Sequence, residues 1–426
     1  MPLYIRLLAI CTISVACFVL PTMAQDWNNW RGPDFSGAAQ AKNLPIQWSI
    51  ADKTNIKWDV RLPGPSGATP IISGDLIFVS SSVTKSGELR ADCFNRHTGK
   101  AVWSKRLGAG GKAKRGNAYA SPSPVTDGKS VIFTYANGIV VSYNLTGEKQ
   151  WERNLVTDYG KLDVGFIYSA SPLLLNNRLI FSVLRRDRDN QDSYVLALDA
   201  RTGKSLWKHA RKPLNTLESM ESYTSPIPFT LGEKVGVIVS GAGYISCHVL
   251  QTGAEMWRFV YAKTSPKNWR LVPTPVQAGN QLIFSLPRGG HMMSIQCPKN
   301  DLSQTPTLAW EHKGSIPDVP SSTYKDGHLY VMDDKKRNLT CFNGKTGAVI
   351  WTEKLEFKPG VYASPTLADG KIYCIGLRGE VAVFSAGSKP KRLASFTTDK
   401  DIWSSPVAVG NNLYIRAPQR LICVGK

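Results

Sequence analysis

Several stretches of this 426-residue chain carry the residue types from which active sites are built. Each fails on spacing. Gly203-Lys204-Ser205 and Gly344-Lys345-Thr346 have the last residues of a phosphate-binding loop, but neither has the earlier glycine that lets backbone wrap a phosphate. Asp187, Asp189, Asn190 and Asp192 crowd calcium-type oxygen ligands together; Gln191 and a missing glycine break the calcium-loop pattern, and Arg185, Arg186 and Arg188 offer neutralising charge. The histidines at 97, 209, 248, 291, 312 and 328 show no paired metal spacing, and neither GxSxG nor HExxH occurs. No catalytic residue and no metal site is predicted.

What does recur is an aromatic residue just before an apolar run: Tyr119, Tyr168, Tyr223, Trp269, Tyr362 and Trp403. Basic residues accompany them, namely Lys112, Lys114 and Arg115, then Arg211 and Lys212, Lys263, Lys267 and Arg270, and Arg288 with His291. Aromatic faces beside cations suit a glycan, a planar cofactor or an acidic peptide. The competing reading is that the rings brace the loops that carry them.

A repeat sets the positions of these residues. Thr98–Trp103 (TGKAVW), Thr146–Trp151 (TGEKQW), Thr202–Trp207 (TGKSLW), Thr252–Trp257 (TGAEMW) and Thr346–Trp351 (TGAVIW) are copies of one phrase. Recurrence about every 50 residues signals a repeat architecture. Ser/Thr/Pro clusters open the repeats at Thr69-Pro70, Ser121 to Pro124, Ser171-Pro172, Ser225-Pro226, Thr274-Pro275, Ser321-Ser322, Ser364-Pro365 and Ser405-Pro406, and four strand-like runs follow each. The fold class predicted is all-β, an eight-bladed β-propeller of four-stranded antiparallel blades. The last repeat stops one strand short, while Asn55 to Arg61, with Trp58, is a fourth strand lacking its first three. An N-terminal strand is therefore expected to close the ring, which removes open sheet edges.

In such a meander the Thr-Gly hairpins emerge on one face and the long, dissimilar loops 107–120, 156–170, 185–193, 210–224 and 261–272 on the other. The candidate ligand site is the channel mouth on the long-loop face: Tyr119, Tyr168, Tyr223, Trp269, Arg270, Tyr362 and Trp403. Trp58, Trp103, Trp151, Trp207, Trp257, Trp310 and Trp351 are read as structural, docking each blade on the next, with Phe396 as the substitute in the seventh repeat. Cys93, Cys247, Cys341 and Cys423 share one slot with Ala197, which marks a small buried position rather than a disulfide or metal ligand.

The chain carries 52 Lys and Arg against 32 Asp and Glu, a net charge of +20. That surplus favours anionic partners, but it is spread over the repeats, so a solvated basic surface is the plainer reading and no nucleic-acid partner is expected. Leu7 to Leu20 is an apolar run too short to span a membrane, and Thr22-Met23-Ala24 supplies a small-residue cleavage pattern. Residues 1–24 are read as a signal peptide, 25–54 as a leader and 55–426 as the propeller. The expected location is periplasmic or secreted, with a lipoprotein anchored at Cys17 as the alternative.

The Thr-Gly-x-x-x-Trp phrase resembles the pyrroloquinoline-quinone-like (BamB-like) β-propeller repeat family, which includes quinoprotein dehydrogenases and an outer-membrane assembly lipoprotein. Trp27 to Gly37 (WNNWRGPDFSG) resembles the leader of exported propeller proteins of planctomycetes and related bacteria. For the dehydrogenases the resemblance implies pyrroloquinoline quinone beside two adjacent cysteines, a calcium held by Glu, Asn and Asp, and a catalytic Asp. No two cysteines here are adjacent and no calcium set matches, so no cofactor is expected. The reading is an exported binding or assembly scaffold with an envelope protein or anionic glycan as partner. A quinoprotein-type dehydrogenase or degenerate relative, and a glycan or polyanion binder, stay open as alternatives.

Overall fold

The computed structural model describes residues 26–426 apart from 112–116, 163, 187–191, 263–267, 287, 289–290, 299–302, 315 and 399–400. The expected signal segment, Cys17, the basic residues Lys112, Lys114, Arg115, Lys263 and Lys267, and Asp187, Asp189 and Asn190 lie outside the described residues.

Eight sheets, each with four antiparallel strands, form the ring of a β-propeller. Blades 1 to 7 take residues 71–109, 125–154, 173–210, 227–260, 276–312, 323–354 and 366–397. Blade 8 takes 407–425 and is completed by Ile56–Arg61, which pairs antiparallel with Arg420–Gly425 so that Trp58 faces Cys423. The inner strands are short, and Ile71–Ser73, Thr366–Ala368 and Val407–Val409 are wholly buried, whereas outer strands such as Ala101–Ala109 alternate, with Trp103 one of their few buried residues. That is the period of two expected where one strand face packs on a neighbour and the other meets solvent.

The Thr-Gly-x-x-x-Trp phrase joins two blades. Asp199 Oδ1 accepts the N–H groups of Arg201 and Thr202, both at 2.9 Å, and Gly203 follows at φ +70°. A Cβ on Gly203 would lie 2.7 Å from the ring of Trp151, so the glycine also makes room for the tryptophan of the preceding blade. The Trp151 indole N–H then donates to the Ala200 carbonyl at 2.9 Å. Trp58, Trp103, Trp207, Trp310 and Trp351 bond a backbone carbonyl of the next blade in the same way. Trp257 faces the repeat that has lost Thr-Gly, and its indole N–H has no partner among the described residues. Across its own blade each tryptophan sits opposite a small residue: Trp103 opposite Cys93, Trp207 opposite Ala197, Trp257 opposite Cys247 and Trp351 opposite Cys341. The six described cysteines are free and buried, and burial pushes the thiols of Cys93 and Cys341 up to about 12, so they pack as hydrophobes.

The substitute in blade 7 is not Phe396. Every outer pairing carries a β-bulge beside the tryptophan; in blade 7 that register position, opposite Val383, belongs to Ala394. The strand alone leaves a hole there, and the leader fills it. Trp48 is 1% exposed, packs edge-on to Phe396 at 4.7 Å and donates its indole N–H to Thr398 Oγ1 at 3.0 Å. The rest of the leader binds the inner strands at the end of the ring away from the long loops. Trp27 bridges Ile72 of blade 1, Asn28 accepts from Thr126 of blade 2, and Ala38–Ala39 adds a parallel strand to blade 7.

Candidate functional site

Between blades 1–2 and blades 6–7 the leader has only a few residues, so it crosses the channel axis. Arg31 anchors the far side: its fully buried guanidinium donates to the Ser322 and Pro365 carbonyls at 2.9 and 3.3 Å and to Thr323 Oγ1 at 2.8 Å. Burial lowers its pKa to about 9, because desolvation disfavours the charged form. Trp30, beside it, becomes the floor of a central cavity of about 260 Å³. The channel is thereby a cup open toward the long loops.

The cup wall is built from the residues that open each repeat. Ser123 Oγ accepts the Thr69 N–H at 3.0 Å, Ser171 accepts from Ser123 at 3.0 Å, and Ser225 from Ser171 at 2.9 Å. Thr274, Ser321, Ser364 and Ser405 continue the chain at 3.1, 2.8, 2.9 and 3.0 Å. Only the step from Ser405 back to Thr69 is missing, and the Thr69 hydroxyl has no partner among the described residues. In the sequence these Ser/Thr clusters mark only the opening of each repeat. Their one-per-repeat recurrence was the available signal.

A second tier lies two residues before each ring hydroxyl: Gly67, Ser121, Ser169, Tyr223, Val272, Val319, Tyr362 and Trp403 all line the cavity. In extended backbone residues i and i+2 share a face, so a side chain at this offset points where the hydroxyl points. The offset sorts the expected aromatics. Tyr223, Tyr362 and Trp403 have it and line the cup, as does Arg270 from the blade 4–5 loop. Tyr119, Tyr168 and Trp269 lack it and do not. Tyr119 lies against Gly110 and Gly111 of its own loop, Tyr168 is buried with its hydroxyl donating to the Ser182 carbonyl at 3.1 Å, and Trp269 packs on the core of blades 4 and 5. Phe166, unremarked in the sequence, joins the wall.

The charged groups around the cup are largely paired. Arg270 lies over the Phe166 ring at 4.9 Å and meets Glu218 at 3.4 Å and Asp318 at 3.3 Å; Arg288 also pairs Glu218, at 2.9 Å. Arg211, expected at the mouth, is buried in blade 4, stacked on Tyr244 and bonded to the Gly241 and Tyr244 carbonyls. Tyr223 donates to the buried carboxylate of Glu221 at 2.8 Å and accepts the Phe166 N–H at 3.0 Å; Arg186 pairs the other oxygen of Glu221. Burial, reinforced by Glu221, drives the Tyr223 phenol up, so it stays protonated.

The described lining holds no carboxylate, imidazole or thiol, and Asn117 is its one side-chain amide. That set does not fit a quinone with calcium, which needs several carboxylate and amide oxygens on the ion. A flat cofactor is held best between two parallel rings about 7 Å apart, twice a van der Waals contact. The parallel pair in this wall, Tyr362 and Trp403, stands 4.5 Å apart and fills its own slot.

Among the described residues no helix is long and apolar enough to cross a membrane. The chain is 26% identical over 257 residues to a polyvinylalcohol dehydrogenase of a Sphingopyxis species, a match covering 57% of this chain and 35% of that protein. It thus spans about a third of the length of that relative. The fold is similar to BamB from Moraxella catarrhalis, with TM-score 0.61, 14% identity, and 87% and 99% of the two chains covered. It is also similar to a europium-containing methanol dehydrogenase, with TM-score 0.66, 11% identity, and 93% and 90% covered. The family model described as outer membrane protein assembly factor BamB matches residues 38–182 and 300–388, more than half of the chain. With eight such blades in one ring, the chain belongs to this pyrroloquinoline-quinone-like, BamB-like β-propeller family.

Proposed function

We propose that the protein is a non-catalytic binding and assembly scaffold of the cell envelope, engaging its partner at the cup and the loops around it. One observation carries this reading: the cup wall offers rings and hydroxyls to hold a group and, among the described residues, no acid, base or nucleophile–base pair to transform it. The family's outer-membrane assembly member supports a protein partner, and the exposed Leu214 and Leu217 beside the mouth supply apolar contact area.

A photo-crosslinking residue at Leu214 of the intact protein, expressed in its own envelope, tests this. A specific adduct with an outer-membrane assembly protein is expected, falling about tenfold in Leu217→Asp, a substitution at a half-exposed side chain that leaves the core intact. An adduct equally strong in Leu217→Asp, or none at all, refutes the assignment.

A further inference from the structure

We propose that the cup receives the terminal ring of a neutral saccharide. This deepens the reading of the cup as a binding site and rests on it. The leader that carries Trp30 crosses beneath the cavity, which favours a chain end or a free small molecule over a polymer threaded through the ring. At about 260 Å³ the cavity lies just below the roughly 300–1,000 Å³ of sites for drug-sized ligands, room for one ring and little more.

Wall chemistry chooses the ring. Each ring serine uses one lone pair on the neighbouring N–H and keeps its own proton and a second lone pair, so the tier both donates and accepts around the circumference. A ligand with hydroxyls pointing in several directions matches that; a flat heteroaromatic does not. The second tier is lopsided: blades 4 to 8 present Tyr223, Val272, Val319 and the stacked Tyr362 and Trp403, an apolar arc, while blades 2 and 3 present Ser121 and Ser169. A pyranose has the same division, an apolar C–H face and a polar edge. Charge selects against an acidic sugar, because Arg270 is already met by Glu218 and Asp318. The +20 surface is therefore not what this site reads.

The intact protein is titrated by calorimetry and saturation-transfer NMR with the methyl glycosides of glucose, mannose, galactose and N-acetylglucosamine, with glucuronate as the acidic probe. At least one neutral glycoside is expected to bind, with affinity changing less than about twofold between low and high salt. Trp403→Ala should weaken it about tenfold, and Trp269→Ala, outside the cup, less than about twofold. Linear oligomers of the same sugar should gain less than about threefold, since one ring enters. Binding of glucuronate alone, equal losses in the two tryptophan variants, or affinity climbing with each added sugar overturns the proposal. If no glycoside binds while the Leu214 adduct forms, the saccharide falls and the scaffold reading stands.

Discussion

Trp48→Ala measures whether the leader is part of the fold or lies on it. Trp48 is 1% exposed and its cavity is walled by blades 7 and 8, so water cannot relieve the truncation. Removing a buried tryptophan costs about 3–5 kcal/mol. The lost edge-to-face contact with Phe396 at 4.7 Å and the orphaned Thr398 hydroxyl put this site near the middle, about 4 kcal/mol. For a chain this size, at roughly 2 cal/mol/K of unfolding entropy per residue, that is a Tm drop of about 5 °C. Thermal scanning of Trp48→Ala beside Trp103→Ala supplies the comparison, because Trp103 fills the equivalent seam between blades 1 and 2. The two variants should fall together. A Trp48→Ala protein within about 1 °C of the parent, with Trp103→Ala destabilised as expected, would show that the seam between blades 7 and 8 holds without the leader.

Two further outcomes follow from the geometry. Gly203→Ala meets both a φ of +70° and the Trp151 ring at 2.7 Å, whereas Gly74→Ala meets only a φ of +52° with nothing within 4 Å. Left-handed strain alone costs about 1 kcal/mol, and overpacking adds about 1–3, so urea midpoints should rank Gly203→Ala clearly below Gly74→Ala; equal midpoints refute the glycine–tryptophan contact. His248 is buried with Nδ1 donating to the Gly253 carbonyl at 3.0 Å, and burial lowers its pKa to about 3. The unfolded chain takes up a proton near pH 6.5 and the folded chain does not, so stability is full above pH 6.5 and falls toward pH 3 by about 1.4 kcal/mol per unit. His248→Gln should flatten that limb relative to the parent; an unchanged slope assigns the acid loss to other groups.

The expected repeats, blade count and closing strand match the structure, because each is written locally. A hairpin needs its glycine, an outer strand its alternation, and a blade lacking one strand announces it by length. The site was legible only in part. Tyr223, Tyr362 and Trp403 look no different in sequence from Tyr119, Tyr168 and Trp269; what separates them is an offset of two from the one serine of each repeat whose hydroxyl joins the ring, which shows only when the blades stand side by side. Arg211 shows the opposite failure, a cation that reads as surface charge and is turned inward to backbone carbonyls.

Sequence by itself determined the eight-bladed ring and its closure from both ends. Periodicity and turn chemistry act over a few residues and survive without knowledge of neighbours. Tertiary structure alone decided that the Thr-Gly glycine belongs to the tryptophan of the preceding blade, that Trp48 and not Phe396 fills the incomplete seam, and that Trp30 turns a channel into a cup. These are contacts between segments far apart in the chain, fixed by how the ring closes rather than by any local pattern.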